Sequence, residues 1–174
     1  LEVENYDFKI WDNPNSMIED IRNKDLNLSL CRVVAGYSWR WQSKGCETIE
    51  QAVREGLEDI ELDGRKYVWN MSNQEWILRE GAVNEIGCVH TTQGYDLNYV
   101  AVIFGHEIDY DDESDSIVID RNKFFDSKVK DGVDDDTLKQ YIVNSYKVMM
   151  TRGIKGCYVY ACNPRLQKYL KRFI

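Results

Sequence analysis

The segment YIVNSYKVMMTRGIKGCYVY (141–160) joins a predicted helix to a predicted strand and decides the fold class. Residues that recur every three or four positions predict a helix over about 135–152, whose core-facing stripe is Leu138, Ile142, Ser145 and Met149. Arg152 takes the next position on this stripe, and the apolar run CYVYA (157–161) then predicts a buried strand. A helix that leads directly into a buried strand indicates an α/β fold.

The rest of the chain continues this alternation. Strands are predicted at 6–11, 28–36, 85–90 and 98–105, with a polar loop at 91–97. Asn13-Pro14 and Asn163-Pro164 predict two helix starts. The first helix is expected to run to about Leu26, and the last to turn inward Leu166, Tyr169, Leu170 and Phe173. Asp63-Gly64 predicts a tight hairpin.

This pattern predicts a mainly parallel sheet with helices on both faces, a single domain of 174 residues. Ligands of such sheets bind beyond the carboxyl ends of the strands. The segments expected to carry a site are therefore those after Val34, after Val89 and before Cys157.

Composition excludes little about the partner. The net charge is −8, but residues 107–120 hold seven acids and no base, whereas 151–174 hold six bases and no acid. Surfaces of either sign are available, so the total does not exclude nucleic acid. No apolar stretch is long enough for a membrane span, and we expect no membrane partner. Five cysteines without a C-x-x-C pair and only two histidines favour a reducing, cytoplasmic location and no metal site.

Three segments combine polar or aromatic groups with a strand end, and each allows two interpretations. The first segment is GCVHTTQGYDLNYVAVIFG (87–105), which can be interpreted as an ordinary polar loop or as a polar site at a sheet edge. Arg152 complements the helix dipole or binds an anion held by another element. In VVAGYSWRWQSKG (33–45) the aromatic residues pack under a neighbouring loop or stack nucleobases.

The order of these segments resembles the second RecA-like domain of superfamily 1 helicases, in which T-x-H-x-x-(K/Q)-G-x-(E/D) and then T-R before a strand recur. The chain more closely resembles a bacterial P-loop family of unknown function that is related to the helicase part of group 3 Schlafen proteins. The motifs that carry this resemblance are VAGYSW, WN, GCVHTTQGYDLNYV and TRGIKGCYVY. The similarity covers about 30–174. It implies a C-terminal RecA-like domain over 1–174, with a leading strand and helix in 1–27 and two additions, the hairpin and the acidic loop.

The resemblance implies roles for individual residues. Arg152 would contact the γ-phosphate of ATP, with Thr151 beside it, and Asp96 would hold the ribose where many helicases have Glu. Gln93 and Gly94 would line the nucleotide cleft, and Arg40 would make a second phosphate contact. The residues expected to reach or adjoin the nucleic acid are His90, Thr91, Thr92, Tyr37 and Trp39.

A nucleotide-hydrolysing enzyme of this class needs a phosphate loop ending in Gly-Lys, and no glycine here precedes a lysine. ATP and Mg²⁺ would therefore be held mainly by an N-terminal RecA-like domain of the same parent chain, as the non-Met start also suggests. This chain alone is then not expected to hydrolyse ATP, whereas the parent would be an ATP-dependent DNA or RNA helicase-like enzyme.

Two alternatives stay open. The chain is a catalytically inert module that binds nucleic acid or protein on a helicase-like fold. The acidic segment DYDDESDSIVID (109–120) partly resembles a calcium loop, although Ser114 replaces the required glycine, and a solvated, mobile loop is the expected structure there.

Overall fold

A computed structural model describes residues 6–71 and 75–173. Its strands, in chain order, are β1 (Asp7–Ile10), β2 (Cys31–Ala35), β3 (Ile60–Leu62), β4 (Arg65–Tyr67), β5 (Ile86–Gly87), β6 (Leu97–Phe104), β7 (Ile108–Asp111), β8 (Ser116–Ile119) and β9 (Gly153–Ala161). Its α-helices are α1 (Pro14–Leu28), α2 (Ile49–Glu55), α3 (Val89–Thr92), α4 (Ser127–Lys130), α5 (Asp135–Met150) and α6 (Pro164–Leu170). Short 3₁₀ turns lie at Trp76–Leu78, Ala82–Asn84, Arg121–Lys123 and Lys171–Phe173.

The predicted α/β architecture is confirmed. Five strands form one parallel sheet in the order β1-β9-β6-β2-β5, and β3–β4 and β7–β8 form separate antiparallel hairpins. Successive residues of β2, β6 and β9 face opposite sides, so the sheet has two apolar faces to cover. One core contains the inward residues of α1, and the other contains those of α5 and α6.

Local signals set the start of α1 and the β3–β4 turn as predicted. Helix α6 also begins at Pro164 as predicted, but the Asn163 side chain does not cap it and donates to the Ile108 carbonyl (2.6 Å). The Asn13 side chain accepts a hydrogen bond from the Ser16 N–H (2.8 Å) at the start of α1. Asp63 and Gly64 adopt φ values of 46° and 76°, as a two-residue hairpin turn requires. The inward stripe of α5 is buried at Leu138, Ile142 and Met149 and only half-buried at Ser145, while Tyr146 is buried in addition.

The predicted strand at 85–90 is mostly wrong, because only Ile86–Gly87 pairs and Val89 begins a short helix. The Thr91 hydroxyl accepts a hydrogen bond from the Cys88 N–H (2.9 Å) and donates to the Cys88 carbonyl (2.9 Å). This local bonding favours a helical turn over an extended chain. Phe173, expected to face inward, is 69% exposed because α6 ends at Leu170.

The acidic segment is a hairpin, β7–β8, and not the expected loop. Asp109 pairs with Arg165 (2.6 Å), Asp112 pairs with Arg172 (3.2 Å), and Tyr110 stacks on Tyr169 with ring centroids 4.0 Å apart. The acids of 107–120 and bases of the C-terminal helix thus partly neutralise each other instead of forming two free surfaces of opposite charge.

Two further findings concern the described residues 6–71 and 75–173. Within them, no cluster of three or more His, Cys, Asp or Glu side chains has the geometry to hold a metal ion. No helix in that part of the chain has both the length and the apolarity that a membrane crossing requires.

Candidate functional site

Arg152 lies at the amino end of β9, beside the segment that leads into β6. The Leu97 N–H donates to the Arg152 carbonyl (2.8 Å), and Leu97 stands opposite Gly153 in the β6–β9 pair. Residues 93–96 and 151–152 therefore meet at the amino edge of the sheet. The expectation that Arg152 lies at the carboxyl edge is wrong, because a residue that precedes a strand lies at the opposite edge from residues that follow one.

An open groove of about 740 Å³ runs along one side of α5, between this helix and α3 and α4. We call it the arginine groove, and the residues on its wall that matter here are His90, Gln93, Lys128, Ser145, Val148 and Arg152. The structure thus brings together three residues that the sequence had singled out, His90, Gln93 and Arg152.

The Arg152 side chain is half-buried in this groove. Its Nε donates to the Val148 carbonyl (3.2 Å), and its guanidinium forms no ion pair with any acid in the part of the chain that the structure describes. Asp131 also lies on the groove wall but forms no ion pair with Arg152. A guanidinium with remaining N–H donors and no ion-paired carboxylate can bind an anionic ligand.

Thr151, Gly94 and Asp96 adjoin the groove in sequence but do not line it. Thr151 ends α5 and its hydroxyl donates to the Val148 carbonyl (2.9 Å). Gly94 has a φ of +84° with open space around its Cβ position, so its backbone conformation, and not a close approach, requires glycine. Asp96 is exposed at the amino end of β6.

A second depression, of about 380 Å³, lies beyond the carboxyl ends of β2 and β5. We call it the aromatic pocket, and its rings belong to Tyr37, Trp39, Trp41 and Trp69. The Tyr37 ring lies edge-on to Trp69 (4.8 Å) and to His90 (5.8 Å). The Phe125 ring also lines the pocket, Lys44 and Lys128 supply positive charge, and Asp126 supplies a negative one. His90 and Lys128 line both the pocket and the groove.

Asp59 holds the loop that carries these rings. Its Oδ1 accepts from the N–H groups of Gln42 (2.5 Å) and Ser43 (2.9 Å), and its Oδ2 accepts from the Ser43 hydroxyl (2.7 Å) and the Trp69 N–H (2.8 Å). Four bonds to one buried carboxylate fix the loop before any ligand arrives. Sequence reasoning missed Asp59, since its partners are distant in the chain.

Three predicted residues are placed elsewhere. Thr91 and Thr92 are buried, and their hydroxyls are bonded to carbonyl groups of Cys88 and Val89. Arg40 lies over the Phe125 ring, 4.8 Å from its centroid, on the side of the aromatic pocket and not in the arginine groove. Their predicted ligand contacts stay predictions.

Glu107 and Tyr146 form a buried pair that sequence reasoning also missed. The Tyr146 hydroxyl donates to Glu107 Oε1 (2.5 Å) and accepts from the Gly105 N–H (2.9 Å). Burial raises the pKa of the Glu107 carboxyl, and the hydrogen bond from Tyr146 opposes that shift. Tyr146 could have been found, because an aromatic residue four positions after Ile142 shares the buried side of α5.

Replacing Glu107 with glutamine is expected to stabilise the protein at high pH and not at low pH. The folded state binds the Glu107 proton more tightly than the unfolded state does. The stability that this proton contributes is complete below about pH 4.5 and is lost as the pH rises toward the folded pKa. Glutamine does not titrate and so escapes this loss. Each unit by which burial raises the pKa of Glu107 contributes about 1.4 kcal/mol to the difference in free energy of unfolding between the two proteins at high pH. Urea unfolding of the wild type and the variant between pH 5 and 8.5 measures how this difference in free energy changes with pH. A difference independent of pH would contradict the prediction.

These features define the class of the protein. It is an α/β domain whose open parallel sheet presents an arginine-bearing groove toward one edge and an aromatic pocket beyond the other. A family model described as "Schlafen group 3, DNA/RNA helicase domain" matches residues 1–163, and the chain belongs to that family. Membership implies nucleotide use in general and suggests a DNA or RNA partner.

A curated relative comes from Saccharomyces cerevisiae. The uncharacterized protein YPL245W is 33% identical over 181 aligned residues, which cover 98% of this chain. The chain spans 38% of the length of that relative. No solved structure matches the chain with statistical significance.

Proposed function

We propose that this chain is the second motor domain of an ATP-dependent, helicase-like enzyme that acts on DNA or RNA. Its arginine groove would complete an ATP site formed with an N-terminal RecA-like domain of the parent chain. The observation that supports this most directly is the half-buried Arg152 guanidinium, which faces an open groove beside Gln93 without an acidic partner among residues 6–71 and 75–173.

Two cations on the groove wall support a phosphate as its ligand, although Asp131 lies on the same wall. Arg152 presents a planar set of donors at one part of the groove, and Lys128 adds a second positive charge on its wall. ATP with Mg²⁺, held mainly by the other domain, would supply the phosphoryl group and its leaving group. In that complex Arg152 would stabilise the charge that develops on the transferred phosphoryl oxygens, and Gln93 would line the same cleft.

The aromatic pocket supports a single-stranded nucleic acid as the partner. Tyr37, Trp39 and Trp41 are half-buried, whereas Trp69 is buried beneath them. Partly exposed rings can stack unpaired bases, and the neighbouring lysines attract the phosphate backbone. The pocket lies beyond the carboxyl edge of the sheet and Arg152 lies at the amino edge, so the two ligands would bind toward opposite edges of the sheet in adjoining depressions. His90, which lines both depressions, would lie between them.

Replacing Tyr37 or Trp39 with alanine is expected to weaken single-strand binding by about 5- to 100-fold, because each lost base–ring stack is worth about 1–3 kcal/mol. Fluorescence anisotropy with a short labelled oligonucleotide measures the dissociation constant. The matched control is Phe8→Ala, since Phe8 is a 40% exposed aromatic on the edge strand β1, away from the pocket.

Affinity unchanged in Y37A and W39A, or reduced equally in F8A, would exclude the aromatic pocket as the binding site. A parent protein that binds nucleic acid normally but turns over no ATP would instead support the inert binding module. The effect of Arg152 on ATP turnover, argued in the Discussion, tests the nucleotide half of the proposal.

A further inference from the structure

The Glu107 carboxyl lies where two neighbouring strands, β2 and β6, end and their chains leave in opposite directions. The chain from β2 goes to β5 on one side, and the chain from β6 goes toward β9 on the other. Such a switch point is where α/β sheets place functional groups. Glu107 is fully buried there and borders a small cavity of about 50 Å³ that Tyr37 and His90 also line.

Two glycines make room for this carboxyl. A Cβ at Gly36, directly after β2, would lie 2.1 Å from Tyr146 Oη and 2.5 Å from Glu107 Oε1. A Cβ at Gly105, directly after β6, would lie 2.4 Å from Glu107 Oε2 and 2.2 Å from Ser38 Cβ. Both strand ends therefore depend on the absence of a side chain to admit the Glu107–Tyr146 pair.

The pair joins three elements. The loop that follows β2 and carries Tyr37, Trp39 and Trp41 is called the aromatic loop. Its Ser38 hydroxyl accepts a hydrogen bond from the His106 N–H (2.7 Å). Tyr146, on α5, is bonded to both Gly105 and Glu107, and its ring stacks on Phe104 at a centroid distance of 4.1 Å. The same helix ends just before Arg152, whose N–H donates to the Met149 carbonyl (3.2 Å).

Glu107 Oε2 accepts no hydrogen bond within the described residues. The Tyr146 hydroxyl donates to the other oxygen, Oε1, and the Ser38 side chain lies close enough to the carboxyl to lower its pKa as well. A displacement of α5 away from the strand ends would leave a buried carboxyl without the Tyr146 donor, which is unfavourable. The aromatic loop, the β6 end and α5 are therefore expected to shift together.

We propose that the hydrogen bond between Tyr146 and Glu107 positions α5 against the aromatic loop, and that it transmits nucleic-acid binding at the aromatic pocket to Arg152 in the arginine groove. This inference rests on the proposed function. Tyr146 and Glu107 act here as positioning residues, because neither lines the arginine groove.

Tyr146→Phe in the full-length parent protein tests the inference, since phenylalanine keeps the ring that stacks on Phe104 and removes only the hydroxyl. We expect basal ATP turnover and nucleotide-free oligonucleotide affinity within about twofold of wild type, and stimulation of turnover by a single-stranded oligonucleotide reduced at least about fivefold. The change in oligonucleotide affinity on adding a non-hydrolysable ATP analogue is also expected to shrink, by a factor set by the coupling of the two binding free energies and not by the effect on turnover.

Two further variants separate transmission from a general loss of packing. Tyr67→Phe also removes a buried hydroxyl, one that donates to Asn15 Oδ1 (2.5 Å) in the core on the other face of the sheet, and should leave stimulation unchanged. Glu107→Gln keeps an acceptor for Tyr146 and should retain most of the stimulation, whereas Glu107→Ala should not.

Wild-type stimulation in Y146F would overturn the inference, as would equal losses in Y146F and Y67F. A wild-type parent that binds the oligonucleotide but has no ATP turnover would refute the proposed function itself. Turnover that is present and stimulated in the wild type, but insensitive to Tyr146, would refute only the transmission.

Discussion

Replacing Arg152 with alanine in the full-length parent protein is expected to lower ATP turnover by about 10³-fold or more, because an arginine at a transferred phosphoryl group contributes about 10³–10⁵ in rate. The half-buried guanidinium has no acidic partner among the described residues, so its removal should leave the fold intact. Steady-state turnover at saturating ATP and oligonucleotide measures the effect. Arg152→Lys is expected to recover little, since an ammonium group lacks the planar set of donors.

The matched control for this prediction is Lys155→Ala. Lys155 is an exposed cation three residues further along the same segment and does not line the arginine groove. Its removal tests whether any loss reflects the local positive charge in general. Turnover of the Arg152 variant within about tenfold of wild type would show that Arg152 is not the γ-phosphate contact of the proposed mechanism.

Replacing Gly36 with alanine is expected to destabilise the domain by about 3 kcal/mol, the upper part of the range for overpacking a core. The added Cβ would lie 2.1 Å from Tyr146 Oη, and Tyr146 is held by stacking on Phe104 and by its bond to Glu107. Accommodation requires breaking that bond, which leaves the buried Glu107 carboxyl unsatisfied. Urea or thermal unfolding of the purified domain measures the change.

Gly94→Ala provides the comparison, because it separates backbone strain from overpacking. Gly94 has a positive φ but no neighbour within 4 Å of its Cβ position, so alanine there is expected to cost about 1 kcal/mol. Equal destabilisation by the two substitutions would mean that Tyr146 and Glu107 move aside without penalty, and the close packing at the ends of β2 and β6 would then not constrain the domain.

Most of the secondary structure could be predicted, because its causes are local. Asn13 and Pro14 set the start of α1, and Asp63-Gly64 set the β3–β4 turn, through bonds and dihedral angles within a few residues. The segment at Val89–Thr92 was predicted wrongly, as the end of a strand at 85–90 and the start of a polar loop, although the cause is local here too. Its β-branched residues favour a strand, but the Thr91 hydroxyl closes a helical turn on Cys88.

The candidate site could be predicted only in part. The sequence identified Arg152, Tyr37 and Trp39 by their position next to strands, and the helicase resemblance added Gln93 and His90. The structure groups these residues in the arginine groove and the aromatic pocket. The sequence could not show that Arg152 and the aromatic residues lie at opposite edges of the sheet. That arrangement follows from whether a residue precedes or follows its strand in the assembled sheet.

The sequence by itself determined the α/β class, most helix and strand positions and the short motifs of the helicase-domain family, because each depends on neighbouring residues. Only the tertiary structure decided that Glu107 leaves the acidic segment to bond Tyr146, 39 residues away, at the ends of β2 and β6. The strand order β1-β9-β6-β2-β5 makes those two ends neighbours. Contacts of this kind depend on which strands pair, and local periodicity carries no information about that pairing.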